Sequence, residues 1–221
     1  MNIINTTNPT VAAEFLASKI IQKLEEGKKV LWFATGGSSI AVQSKASELI
    51  ALHSHENLVI MLTDERYGPI DYPESNWNQT LAKGFKLPEA KIIPILTGEN
   101  LANTTTLFNE NLEKELQTVA YKIGLFGIGA DGHTAGMLPG SIAVNSNQFA
   151  SSYVTPNFER ITITPRVIEL LNEVVVFTQG ENKWPILTEL DQEIPIIDKP
   201  VQVLKKVPLL TIFTDYKKVK N

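Results

Sequence analysis

The sequence predicts an α/β fold, a doubly wound and mostly parallel sheet with helices on both faces. Apolar runs of strand length alternate with helix-period segments along the whole chain. Most of those runs are continuously apolar rather than alternating, as strands covered on both faces must be. The 221 residues suit one domain spanning 1–221. At that size about 70% of the unfolded chain's surface is buried without a metal or disulfide staple.

The strand candidates are 29–34 (KVLWFA), 57–63 (NLVIMLT), 91–96 (KIIPIL), 122–126 (KIGLF), 173–178 (EVVVFT) and 208–214 (PLLTIFT). The first helix opens with Asn8 as cap and Pro9 in its first turn. Ala12, Phe15, Leu16, Ile20 and Leu24 form its apolar face, and Gly27 stops it. Further helices are expected over 40–52, 103–120 and 166–172 and after Asn182, with weaker candidates after Asn76 and Asp198. A short strand-like segment spans 160–164. No repeat, low-complexity tract or linker divides the chain.

Composition removes several classes of function. Cysteine is absent, which excludes disulfides, thiolate metal sites and a thiol nucleophile. A net charge of −4 with both signs interspersed argues against nucleic-acid or anionic-membrane surfaces. The N-terminal MNIINTTNPT has no basic region followed by an apolar run, and no stretch has the length of a membrane span. Cytoplasm is the expected compartment.

In a doubly wound sheet, ligands gather beyond the carboxyl ends of the strands. The first loop there is Thr35-Gly36-Gly37-Ser38-Ser39. Two glycines, two hydroxyls and a following helix N-terminus make either a phosphate cradle or a plain turn capped by Ser39. No Lys-Ser/Thr pair makes it a Walker loop. Asp64-Glu65-Arg66 ends the next strand, as a local ion pair or as ligand contacts. Asn76, on the same connection, is expected to cap a helix, with a ligand hydrogen bond as the alternative.

The most informative loop runs from Gly127 to Ala135 (GIGADGHTA). Its first six residues satisfy G-x-G-x-x-G. Pro139-Gly140 breaks any helix that would open there, and no acidic residue follows where a ribose would need one. These features demote the dinucleotide reading. What remains is a glycine-rich loop presenting Asp131, His133 and Thr134, with a carboxylate two residues from an imidazole. An imidazole titrates at about 6.5 and can take and return protons at neutral pH. His53 and His55 lie in a polar stretch and are expected to be solvent-exposed and idle. Arg160 and Lys183 each read singly as surface charges, and together as cations for a phosphate.

On these residues the chain resembles the 6-phosphogluconolactonases, within a superfamily that includes glucosamine-6-phosphate deaminases and ribose-5-phosphate isomerases. The likeness is carried by Gly36-Gly37-Ser38, Asp64-Glu65-Arg66, Glu74-Ser75-Asn76, the run GIGADGHTAGMLPG (127–140), Arg160-Ile161-Thr162, and Gly180 with Lys183. It implies a modified Rossmann-like sheet and hydrolysis of 6-phospho-D-glucono-1,5-lactone in the oxidative pentose phosphate pathway. It implies neither metal nor cofactor, and a monomer or small homo-oligomer as the working state.

By that resemblance His133 is the general base and then the acid, and Asp131 steers the imidazole. Asp64 lies near the reacting centre, and Arg66 faces the charge developing on the carbonyl oxygen. Gly36, Gly37, Ser38, Asn76, Thr134, Arg160 and Lys183 bind substrate. Departures are Ser39-Ile40 where the family often has Thr-Pro, and Gly136-Met137-Leu138 where Ser-Leu-Phe is common. Against the deaminases, 137–140 carries no carboxylate to partner the imidazole, and Arg66 rather than tyrosine follows Asp64-Glu65. A non-catalytic sugar-phosphate sensor is disfavoured because His133 and Asp64 are both present.

Overall fold

The computed structural model describes residues 1–217. The chain forms β1 (Asn2–Asn5), α1 (Pro9–Glu25), β2 (Val30–Ala34), α2 (Ile40–Ile50), β3 (Leu58–Leu62), β4 (Asp64–Arg66), α3 (Asn76–Ala82) and β5 (Lys91–Ile93). It continues through α4 (Leu101–Thr118), β6 (Tyr121–Phe126), β7 (Ala150–Val154), β8 (Glu159–Ile163), α5 (Pro165–Ile168), β9 (Glu173–Thr178), α6 (Trp184–Glu189) and β10 (Leu209–Thr214). Short 3-10 turns occupy Gly37–Ser39, Ile142–Asn145, Glu181–Lys183 and Pro200–Lys206.

A seven-stranded sheet runs in the order β1-β10-β9-β6-β2-β3-β5, with every pairing parallel. Residues of β2, β3 and β9 are buried at every position, so both faces of the sheet are covered. The α/β prediction holds, including its parallel character. From β2 the chain winds outward through β3 to β5, whereas β6, β9 and β10 lie on the other side. The loops after β2 and β6 therefore diverge at the switch point, where such sheets open a crevice.

Thr63 is the hinge between sheets. Directly after it the chain leaves the main sheet and enters a three-stranded antiparallel one, ordered β4-β8-β7. The Ile163 N–H donates to the Thr63 carbonyl at 2.9 Å and ties the two together. Asp64 thus stands on the seam, with Arg160 two rungs away on the partner strand.

Several expected elements need correction. The strand over 91–96 stops at Ile93 because Pro94 has no N–H to give a ladder. The helix over 103–120 begins earlier, at Leu101, since Asn100 accepts the Asn103 N–H as its cap. The helix over 166–172 shrinks to Pro165–Ile168, and the one after Asp198 is a 3-10 turn. β1 was not foreseen; four residues are too few to show a period, and only pairing with β10 defines the strand. Asn8 caps α1 as expected, accepting the Thr10 N–H.

His55 is not an idle surface group. It is 3% exposed, its Nδ1 lies 2.8 Å from the His53 carbonyl, and its Nε2 accepts the Glu89 N–H. The ring therefore staples the turn before β3 to the segment before β5. His53 does remain half in solvent, beside Glu25. No helix among the described residues is long and apolar enough to cross a membrane.

Candidate active site

One cavity of about 450 Å³ opens at the switch point, a size suited to a small-molecule ligand. Its wall includes Gly36, Gly37, Ser38, Asp64, Arg66, Asn76, His133, Arg160 and Lys183. Thr35, Gly127, Ile128, Gly129, Ala130 and Ala135 complete it. Of the expected site residues, only Asp131 and Thr134 do not line it.

Asp131 acts from behind. Its Oδ1 lies 2.6 Å from His133 Nδ1 and also accepts the His133 N–H at 3.1 Å. That contact is satisfied when Nδ1 carries the proton, which leaves Nε2 as the basic nitrogen. Burial alone would raise the Asp131 pKa, but the His133 backbone N–H and imidazole outweigh it and hold the carboxyl below its ordinary value. Gly129 is required here, because a Cβ at that position would overlap both the imidazole and the Asp131 carboxylate. The His133 side chain is 37% exposed, accessible to water and ligand.

Thr134 does not bind in the cavity as expected. It is fully buried, and its hydroxyl donates to the Gly127 carbonyl at 2.9 Å, closing the loop that carries the imidazole. A hydroxyl at the base of a tight loop finds the loop's own carbonyl before it finds a ligand.

The acidic pair after β3 splits in role. Asp64, 5% exposed, accepts from Thr63 Oγ1 at 2.9 Å and meets Arg160 Nη1 at 3.3 Å. Glu65 points away from the cavity and is fully buried. Its carboxylate accepts the N–H groups of Arg66, Asn76 and Trp77 and the Ser75 hydroxyl, at 2.8, 2.5, 3.1 and 2.9 Å. Burial pushes its pKa above the ordinary value even against those donors. Glu65 anchors the start of α3, where an anion is favoured by the helix dipole.

The cap of α3 is Ser75, which accepts the Asn78 N–H; Asn76 is not the cap. The freed Asn76 amide donates to the Asp64 carbonyl at 3.0 Å and packs against Gly36, joining the glycine turn to the seam.

Three cations reach the cavity with different freedom. Arg66 Nη1 is held by Glu74 Oε2 at 2.8 Å, and the guanidinium lies 4.7 Å from the Phe158 ring centre. Arg160 is engaged with Asp64. Burial lowers the Lys183 ammonium pKa, partly offset by Asp215. Asp215, which belongs to none of the motifs named above, accepts the Gly180 N–H and the Trp184 indole N–H and so shapes the turn bearing Lys183. Its position just beyond β10, at the same sheet edge as the other loops, was the available signal. Among the described residues no group of His, Cys, Asp and Glu is arranged to hold a metal ion.

The model of the glucosamine-6-phosphate isomerases/6-phosphogluconolactonase family matches residues 8–211. A 6-phosphogluconolactonase from Chlamydia pneumoniae is 31% identical over 129 residues, covering 56% of this chain and 49% of that protein. One from Thermotoga maritima is 25% identical over 191 residues, covering 83% and 84%. The crystal structure of a 6-phosphogluconolactonase from Shewanella baltica superposes with a TM-score of 0.77 at 21% identity, covering 96% of each chain, which speaks to the fold. The chain belongs to the glucosamine-6-phosphate isomerase/6-phosphogluconolactonase family.

Proposed function

We propose that this chain hydrolyses 6-phospho-D-glucono-1,5-lactone to 6-phosphogluconate. The observation that carries the reading is the Asp131–His133 pair, whose imidazole shares one cavity with the Gly36-Gly37-Ser38 turn and Lys183. Family membership and relatives that bear the lactonase name support it.

His133 Nε2 takes a proton from water as the water oxygen bonds to the lactone carbonyl carbon. The resulting imidazolium is stabilised by Asp131. As the tetrahedral adduct collapses, the bond from C1 to the ring oxygen breaks, and the imidazolium returns its proton to that oxygen. The new carboxyl group then ionises to solvent. Arg66, fixed at the wall, faces the oxyanion, and Asp64 keeps Arg160 in place. Gly37, Ser38, Arg160 and Lys183 hold the phosphate, so that binding energy remote from the reacting carbon positions the ring. A cytoplasmic location, a single domain and a monomer or small homo-oligomer belong to the same reading.

The family also includes amino-sugar-phosphate isomerases, so the test compares two substrates. Purified protein is given freshly generated lactone and glucosamine 6-phosphate, with the lactone's unaided hydrolysis subtracted. Accelerated ring opening without ammonia release is expected. Ammonia release with no acceleration of lactone opening would reverse the assignment.

A further inference from the structure

Tyr153, on β7 of the small sheet, makes two hydrogen bonds to one turn of the catalytic loop. Its hydroxyl donates to the Gly136 carbonyl at 2.5 Å and accepts the Leu138 N–H at 3.2 Å. The same turn is closed by the Met137 N–H on the Thr134 carbonyl, and the Gly136 N–H donates to Thr162 Oγ1 at 3.0 Å. Within it Ala135 has φ +51°, a left-handed conformation that disfavours any residue with a Cβ. A strained turn of this kind needs outside bonds to persist.

Gly136 sits close over Thr162, Arg160 and Asp64, with no room between them for a side chain. A Cβ on Gly136 would lie 2.7 Å from Thr162 Cβ, 2.9 Å from Arg160 Cδ and 3.0 Å from Asp64 Cβ. Arg160 is weakly tied by polar contacts. Nη1 reaches Asp64 at 3.3 Å, and Nε is buried with no hydrogen-bond partner. Its pose therefore depends on packing under the Gly136 turn as well as on the long contact to Asp64. His133 is insulated from this turn, because Asp131 holds its ring and the Thr134 hydroxyl locks the intervening backbone to Gly127.

We infer that Tyr153 is a positioning residue, a latch that holds the strained Ala135–Gly136 turn down on Arg160 and so sets substrate affinity rather than turnover. The inference rests on the proposed function only for the identity of the ligand. In Tyr153→Phe the ring and its packing stay while the latch is lost. The KM for the lactone and the Kd for 6-phosphogluconate rise about five- to tenfold, the worth of a net hydrogen bond, with kcat within about twofold. Adding Ala135→Gly removes the strain and returns both constants toward wild type. Gly136→Ala, which lifts the turn by sterics, raises KM in the same way.

Unchanged constants in Tyr153→Phe, a kcat that falls in step with affinity, or no recovery with Ala135→Gly would each overturn the latch. If the wild-type protein fails to open the lactone, the functional reading falls and the latch is judged separately. Hydrogen exchange at the Met137 and Leu138 amides then accelerates in Tyr153→Phe if the latch is real, and keeps its wild-type rate if it is not.

Discussion

The two ends of the main sheet both carry buried charge, and they treat it in opposite ways. At the amino ends of the strands, Glu115 is 1% exposed and clasped by Lys29 at 2.9 Å and Lys91 at 2.5 Å. Burial would raise its pKa, but the two lysines outweigh that and hold it below the ordinary value. At the same end Tyr121 donates to the buried Glu173 at 2.5 Å, and burial with that carboxylate pushes the phenol above its usual range. At the carboxyl ends, Arg160 Nε has no partner, the Asp131 side chain is 50% exposed, and Lys183 is partly desolvated beside an open cavity. A closed set of charges holds the fold together. An incompletely matched set around a hollow leaves binding energy for a ligand.

The largest loss of function is expected at His133, on the carboxyl side of the sheet. His133→Ala should lower turnover of the lactone by about 10²–10⁴-fold, the usual worth of a general acid–base group. Its melting transition should stay in place, because the imidazole packs in no core. Normal turnover would end the catalytic assignment.

Next comes Lys183→Ala, which should raise KM by about 10–100-fold, as for loss of a charge-assisted bond to phosphate, with kcat less affected. The pH dependence has a definite sign. Because burial lowers the lysine's pKa, its charge is present below that lowered value and is lost as pH rises through it. Titration calorimetry with 6-phosphogluconate should show affinity falling at a pH below that of an ordinary lysine, and Lys183→Arg should abolish the fall. An alkaline profile identical in the arginine variant would remove Lys183 from the phosphate.

The smallest effect belongs to the other end. Glu115→Gln should cost about 1–2 kcal/mol, less than for a fully buried pair because both lysines reach solvent. Its kcat/KM should match wild type. Glu115 is held below its unfolded pKa, so its contribution is complete above that unfolded value and disappears as pH falls through the folded one. Denaturant titrations of variant and parent should converge in acid. Lost activity in a folded Glu115→Gln protein would blur the separation between the two ends.

Much of this was legible in the chain as written. The continuous apolar runs of β2, β3, β6 and β9 admit few partners other than a sheet covered on both faces. The strand-end rule narrows the search to the loops holding Gly36-Gly37-Ser38, Asp64, His133 and Lys183, and the family resemblance, not the rule, gives those residues their expected roles. Errors fell where a side chain's partner is distant in sequence or its direction is open. His55 reads as solvent-facing until Glu89 is seen beside it. Thr134 reads as a ligand contact until the Gly127 carbonyl takes its hydroxyl. Ser75, rather than Asn76, takes the cap because Glu65 draws the first N–H groups of α3 into the interior.

Periodicity and loop chemistry, both local properties, were enough to establish the layer architecture, the sheet edge at which the candidate cavity opens and the residue types available there. Which groups meet is a matter of long-range packing. Arg160 faces Asp64 across 96 positions, and Tyr153 bonds Gly136 across 17. Such pairs form only once the small sheet folds against the end of the large one. No feature of either segment alone encodes that distance, because side-chain direction and contact follow from the sum of all the packing around them.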